Sequence, residues 1–273
     1  MKKTLIASLF GTSAILAGCV VVASPQHASF HQQETLSLDA AMFTELEITA
    51  GAGSMKVIGD SSVSTITVTA DIYTENKDSD AFDFSLEADG KQAELVAQMH
   101  STSGYWHGSS PRIDLLVSVP EHMKLNIVDG SGVIDIQLMN AAIKVVDGSG
   151  DIYIDQGQHE LDISDGSGGI TIERFAGNVN IEDGSGSIRI ENVSGDVTLD
   201  DGSGDIDIKN VTGNASINDG SGDLNVDDVT GTVTIDDGSG SINVHNAGGL
   251  KITEAGSGGL KFNRIKGEVE VDS

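Results

Sequence analysis

The chain has 273 residues, of which 34 are glycine and only 4% are aromatic. Its 42 acidic and 15 basic side chains give a formal net charge of −27, which argues against nucleic acid or an anionic membrane surface as a partner and favours cations or basic surfaces. A single cysteine, Cys19, excludes a disulfide framework within the chain, so its stability must come from packing.

The N-terminus has the pattern of a bacterial export signal. Lys2 and Lys3 precede an apolar run that ends in small residues, which predicts a secretory signal peptide over residues 1–18. The run is too short to favour a membrane-spanning helix. Leu16-Ala17-Gly18-Cys19 resembles the bacterial lipobox, which implies that Cys19 is lipidated and anchors the mature chain to a membrane. In a Gram-negative cell this would be the outer membrane, on its periplasmic or its surface face.

Residues 19–38 lack periodicity and contain Pro25 among polar residues, which predicts a tether between the anchor and the folded part. Residues 39–128 alternate apolar and polar side chains and read as an N-terminal β region. Within it, residues 43–58 have the spacing of one degenerate repeat. The strand-like segments that follow, 65–74, 82–87, 93–99 and 112–119, predict an antiparallel excursion that extends or caps the sheets.

The loop over residues 100–111 has an unusual composition, because it holds the only tryptophan of the chain in a Gly/Ser-rich setting. Tyr105, Trp106 and His107 therefore form a candidate partner-binding loop. The same aromatic side chains would also suit a cap over the open end of the core, since the ends of a solenoid need covering.

The rest of the chain is organised by one tetrapeptide. Asp-Gly-Ser-Gly recurs every 18 residues, and an Ala-Gly-Ser-Gly copy keeps the same interval at the end. A strict short period predicts a solenoid in which each repeat packs only against its neighbours. The copies begin at Asp129, Asp147, Asp165, Asp183, Asp201, Asp219, Asp237 and Ala255.

Each repeat divides into two halves that alternate like short strands. In the repeat that begins at Asp201, Ile206 and Ile208 occupy the inner positions of the first half, and Ala215 and Ile217 occupy those of the second. Two strands and two tight corners in each 18-residue coil predict an all-β fold, a flattened right-handed parallel β-helix or β-roll. The sequence predicts eight such coils over residues 129–273.

Two interpretations of the repeated motif remain open. In the first, Gly supplies the corner geometry and the Asp or Ser oxygens accept nearby backbone N–H groups. In the second, stacked acids form a surface that binds Ca²⁺ or Mg²⁺ weakly. The candidate cation-binding residues are Glu182, Asp183, Asp200, Asp201, Asp205, Asp219, Asp223, Asp236 and Asp237.

Several of these features together resemble the bacterial putative-adhesin family of unknown function. They are the lipobox, the corner at Gly51-Ala52-Gly53, the segment from Ile113 to Pro120 and the Gly-Ser-Gly-x-Ile-x-Ile coils, and the resemblance covers residues 40–273. It implies a β-helical protein of the cell envelope. It offers no catalytic residues and no resident cofactor to carry over to this chain.

The leading functional hypothesis is a non-enzymatic, lipid-anchored envelope module, adhesin-like, whose polar sheet faces bind an envelope protein or a polysaccharide. A Ca²⁺-binding surface is an alternative, and so is a purely structural spacer. A β-helical polysaccharide lyase or hydrolase is disfavoured, because such enzymes need acids and a base in a cleft built by longer loops. Residues 129–273 have no insertion that would form one.

Overall fold

The computed structural model describes residues 28–75, 77, 81–100 and 110–272, and these residues form an all-β structure with a short 3-10 helix (Ala40–Met42). The strands in chain order are β1 (Phe30–Asp39), β2 (Glu45–Ala50), β3 (Met55–Asp60), β4 (Thr65–Thr74), β5 (Phe82–Asp89), β6 (Gln92–Met99), β7 (Arg112–Pro120), β8 (Lys124–Asp129), β9 (Ile134–Gln137), β10 (Ile143–Asp147), β11 (Ile152–Asp155), β12 (Gln158–Asp165), β13 (Ile170–Asp183), β14 (Ile188–Val193), β15 (Val197–Asp201), β16 (Ile206–Val211), β17 (Ala215–Asp219), β18 (Leu224–Asp237), β19 (Ile242–Glu254), β20 (Leu260–Asn263) and β21 (Val269–Val271).

The coils stack so that equivalent strands pair in parallel and build two facing sheets. From β8 to β18 the partners in successive coils are 18 residues apart, as in Ile206 with Leu224 and Ala215 with Val233, and β19 carries register shifts of one residue. The first sheet runs in the order β5, β6, β2, β8, β10, β12, β13, β15, β17, β18, β19, β21. The second runs β1, β4, β7, β3, β9, β11, β13, β14, β16, β18, β19, β20, so the long strands β13, β18 and β19 contribute to both. The predicted β-solenoid is confirmed.

Alternation with period two places the apolar side chains between the sheets. Ile206, Ile208, Ala215 and Ile217 are at most 2% exposed, whereas the residues between them face outward. These inner side chains form one continuous core along the whole stack. Burial of apolar surface between neighbouring coils is therefore the main force that holds the coils together.

The N-terminal region joins the solenoid more closely than the sequence predicts. The degenerate coil is present as β2 and β3, and β6 and β7 pair with these two strands in parallel, so they add a further coil. The prediction of antiparallel pairing is confirmed for β5 on β6, β4 on β7 and β1 on β4. The strands β6 and β7 extend the two sheets of the solenoid by parallel pairing with β2 and β3. The inner columns of the core continue into β6 and β7, which favours the parallel register.

The predicted tether over residues 19–38 is shortened by a strand. Residues 30–39 form β1 and pair antiparallel with β4 over ten residue pairs. Only alternate side chains of β1 are half-buried, and among them Leu36 and Leu38 are aliphatic. Backbone pairing rather than a strong apolar pattern thus holds β1 in place, which is why periodicity did not reveal it.

Candidate functional site

Each Asp-Gly-Ser-Gly motif forms a tight corner at the end of a strand of the first sheet. The second glycine adopts a conformation that favours glycine, with φ of +150° at Gly204. A Cβ atom on Gly204 would lie 1.6 Å from the carbonyl oxygen of Gly186 in the preceding coil. Both the backbone conformation and the contact between coils therefore require glycine, as the turn interpretation predicts.

The aspartate that opens each motif points into the protein. The inward alternation of β17 runs from Ala215 through Ile217 to Asp219, and the other coils repeat it. Consecutive aspartates are direct partners in the parallel ladder, from Asp129 with Asp147 to Asp219 with Asp237. All are buried, with between 0% and 7% of their surface exposed. We call them the Asp column: Asp129, Asp147, Asp165, Asp183, Asp201, Asp219 and Asp237.

Within the Asp column, the two oxygens of each carboxyl group differ. From Asp147 onward, Oδ1 accepts the backbone N–H of the serine two residues later, at 3.0 to 3.3 Å. This confirms the predicted turn chemistry. The Oδ2 atoms of all seven are shielded from solvent and accept no hydrogen bond from any residue that the structure describes. Half of each carboxyl group is therefore left without a donor, which is costly for an ionised group.

Full ionisation of the Asp column is unfavourable in the folded protein. Neighbouring strands lie about 4.8 Å apart, so adjacent carboxylates would repel each other by about 3.5 kcal/mol at an effective dielectric constant of about 20. Six adjacent pairs would then repel by about 20 kcal/mol in total. Burial and this repulsion both favour the neutral form and raise the pKa values of the column.

The pKa values agree with this conclusion. Burial, followed by the charge of Asp147, raises the pKa of Asp129 from 3.8 to about 7. Burial and neighbouring column members raise the pKa of Asp147, Asp183 and Asp219 to about 6, against the opposing effect of the serine N–H groups. Burial also raises the pKa of the remaining three, Asp165, Asp201 and Asp237.

The nine candidate cation-binding acids do not share one surface. Asp183, Asp201, Asp219 and Asp237 are buried, whereas Glu182, Asp200 and Asp236 are exposed on the outer face of the first sheet. Asp205 and Asp223 each accept a backbone N–H of the next coil at 3.1 Å, from Asp223 and Ser241 respectively. Within the described ranges, no three His, Cys, Asp or Glu side chains converge as they would around a metal ion. Cation binding by these residues stays a prediction.

A shallow groove crosses the outer face of the first sheet. It has a volume of about 730 Å³ and spans four coils, on β10, β12, β13 and β15. Two columns of outward side chains line it, each in register across the coils. We call it the outer-face groove, and its outward lining residues are Lys144, Val146, Asp162, Ser164, Asn180, Glu182, Thr198 and Asp200.

The outer-face groove presents both donors and acceptors of hydrogen bonds. The Asn180 amide donates to Asp162 at 2.9 Å, and that pair continues in register to Lys144 on one side and Thr198 on the other. Sequence reasoning named Glu182 and Asp200 as candidate cation-binding residues and predicted polar sheet faces, but it did not identify Lys144, Asp162, Asn180 and Thr198 as one column. The sequence contains the pattern that would have revealed this column. The four residues recur every 18 positions, and each alternates with inward-facing residues of its strand.

Two predicted sites lie outside the described residues: the lipidation site Cys19 and the loop with Tyr105, Trp106 and His107. Both stay predictions. In the part of the chain that the structure covers, no helix combines the length and the apolar character needed to cross a membrane.

Comparisons with known proteins place the chain in context. Residues 43–272 match the family described as Toastrack DUF4097. A "putative lipid binding protein" from Parabacteroides distasonis has a similar structure, with a TM-score of 0.53 at 16% identity over 91% of this chain and 100% of that one. A "putative adhesin" from Bacteroides fragilis gives 0.51 at 12% identity over 87% and 99%. At these identities the likeness shows the fold. No curated protein matches the chain in sequence.

Proposed function

Because the chain belongs to the Toastrack DUF4097 family, we propose that it is a non-enzymatic, adhesin-like binding module of the bacterial cell envelope. The outer-face groove is the observation that carries this proposal. The names given to two proteins of similar structure, one an adhesin and one a lipid-binding protein, support a role in interaction at the envelope.

The groove suits a ligand that extends along the solenoid. Its side chains repeat about every 4.8 Å, since one residue of each column comes from each coil. Backbone pairing in every coil already fixes the strands that carry this array, so little backbone freedom is lost on binding. A polymer with repeating polar groups could engage several coils at once.

The chemistry of the lining favours a hydroxyl-rich polysaccharide. Asp162 and Glu182 accept hydrogen bonds, Asn180 both accepts and donates, and Ser164 and Thr198 add hydroxyl groups. The net charge of −27 disfavours an anionic polymer. A protein segment that pairs with polar side chains on this face is the alternative partner.

Binding to neutral polysaccharide fractions from the envelope, measured by calorimetry, tests the proposal. We expect Asp162→Ala/Asn180→Ala/Thr198→Ala to weaken binding at least about tenfold. Asp207→Ala/Asn225→Ala/Asn243→Ala is the matched control, because it changes an in-register column of the same kind on the second sheet. If both triple variants bind the polysaccharide as tightly as each other, the groove is not the binding site. If the native chain binds envelope proteins but no polysaccharide, the alternative partner is favoured.

We also propose that a lipid on Cys19 anchors the module. The support is the lipobox at residues 16–19, which follows a short apolar run. The native chain should fractionate with membranes, and globomycin, which blocks processing of bacterial prolipoproteins, should cause its precursor to accumulate. A Cys19→Ala variant should leave the membrane fraction. If that variant fractionates like the native chain, Cys19 is not the anchor.

A further inference from the structure

The Asp column has no part in the proposed function, because it lies inside the solenoid, away from the groove. Seven carboxyl groups lie in register in the core, and each is almost fully buried. One oxygen of each carboxyl group accepts no hydrogen bond from a described residue. In the coil beyond each end of the column, alanine occupies the position equivalent to the aspartate. Ala255 takes the motif position in the last copy, and Ala50 takes it in the coil formed by β2 and β3.

The charged groups outside the column that act on it are acids. Asp151 acts on Asp165, Asp205 on Asp219, and Asp236 and Glu254 on Asp237. Asp200 does the same to its neighbour Asp201. Every Lys, Arg or His that forms an ion pair in the described ranges pairs with an acid outside the column. Neutralisation of the column must therefore come from something other than a basic side chain.

We propose that the Asp column is a proton-binding site in which at least three of the seven carboxyl groups are protonated in the folded protein at mildly acidic pH. Three is the smallest number that leaves no two neighbours ionised in a row of seven, as when Asp147, Asp183 and Asp219 are neutral. Each protonated group also gains an O–H donor, so it can satisfy an oxygen that otherwise has no partner.

Proton binding by the column couples to folding. In an unfolded chain an aspartate has a pKa of about 3.9, so its carboxyl group is already ionised at about pH 5.5. Unfolding at that pH then releases the bound protons, and the equilibrium constant for unfolding rises about tenfold per pH unit for each proton released. Three protons correspond to a rise of about 1000-fold per unit.

Denaturant unfolding between about pH 5 and pH 6 at constant ionic strength measures this proton release. We expect the native protein to release at least three protons. In Asp147→Asn/Asp183→Asn/Asp219→Asn, each amide keeps the acceptor for the serine N–H and supplies donors in place of the O–H. The release should therefore fall by about three protons. The control Glu87→Gln/Glu94→Gln/Glu160→Gln changes three exposed acids that are not among those acting on the column, and it should leave the release unchanged.

Infrared spectroscopy of the native protein tests the same point even if the triple Asn variant does not fold. The folded protein at about pH 5.5 should show the C=O stretching band of protonated carboxyl groups, and the band should vanish on unfolding at the same pH because unfolded aspartates are ionised there. Absence of both the band and the proton release would overturn the proposal. A calcium titration provides a further check. If Ca²⁺ replaced the bound protons and stabilised the native protein but not the triple Asn variant, the column would be a cation site instead.

Discussion

Asp201 and Asp219 are direct partners in the parallel ladder, and only 2% and 1% of their surfaces are exposed. Each uses one carboxyl oxygen to accept a backbone N–H, from Ser203 and Ser221, while its Oδ2 accepts no hydrogen bond from a described residue. Two carboxylates this close and this dry would destabilise each other strongly. The pair is therefore far more stable when one partner carries a proton.

Substitutions at Asp201 should separate the hydrogen bond from the charge. Asp201→Asn keeps an acceptor for the Ser203 N–H at 3.1 Å and removes the charge, so it should stabilise the protein by about 1 kcal/mol at pH 7.5. Asp201→Ala leaves that buried N–H without its partner and should destabilise by about 1–3 kcal/mol. Urea denaturation of both variants measures the difference. If Asp201→Asn and Asp201→Ala lower the free energy of unfolding equally, the charge of Asp201 does not destabilise the folded protein.

The raised pKa values also fix the sign of the pH dependence. A carboxyl group whose pKa rises from 3.8 to about 6, as at Asp183, binds more protons in the folded state than in the unfolded state. Its stabilisation is fully present below the unfolded pKa and is lost as the pH rises through about 6, or about 7 for Asp129. The melting temperature should thus fall by about 10 °C or more between about pH 5 and pH 8. A constant or rising melting temperature over that range would contradict the assignment.

Salt should act on the exposed acids and spare the buried ones. Glu182 and Asp200 are in-register neighbours on the outer face, in a chain of net charge −27. About 0.5 M NaCl should raise the melting temperature at pH 7.5, because it screens these exposed charges. The difference between pH 5 and pH 8 should persist, since the Asp column is shielded from solvent. Thermal melting at low and high salt checks both points. If the difference in melting temperature between pH 5 and pH 8 disappears at high salt, exposed acids and not the Asp column cause it.

The corner glycines should be irreplaceable where coils touch. Gly204→Ala puts a Cβ atom 1.6 Å from the Gly186 oxygen and should cost about 4 kcal/mol or more, or prevent folding. Gly259 is the control, because a Cβ atom there meets nothing within 4 Å. Gly259→Ala should change stability by less than about 1 kcal/mol. Circular dichroism and urea unfolding compare the two, and similar costs would argue against the close packing of the coils.

The fold could be predicted from the sequence because one rule repeats without interruption. The 18-residue interval fixes the register between coils, and the alternation of Ile206 and Ile208 fixes the inner face. The pairing of β6 with β2 and the strand β1 could not be predicted in the same way. Both depend on contacts between segments far apart in the sequence, and neither has a repeat to set its register.

The inward direction of the Asp column was available in the sequence but was not recognised. Val197, Leu199 and Asp201 share one parity of β15, so the alternation itself places Asp201 inside. The expectation that charged residues face water pointed the other way. The strand alternation outweighs the preference of a charged side chain for water, because the Gly corner and the serine N–H hold the carboxyl group in place. Neutralisation by a proton removes much of the cost.

The most direct test of the account is a ¹³C NMR titration of the aspartate side-chain carboxyl carbons in the folded protein, with the column assigned through single Asp→Asn variants. We predict that at least three column resonances have the chemical shift of a protonated carboxyl group at about pH 5.5, where exposed aspartates are ionised. We also predict that the column titrates around pH 6–7, where Asp129 and Asp183 have their raised pKa values. Titration of all seven below about pH 5, as for ordinary exposed aspartates, would contradict the account.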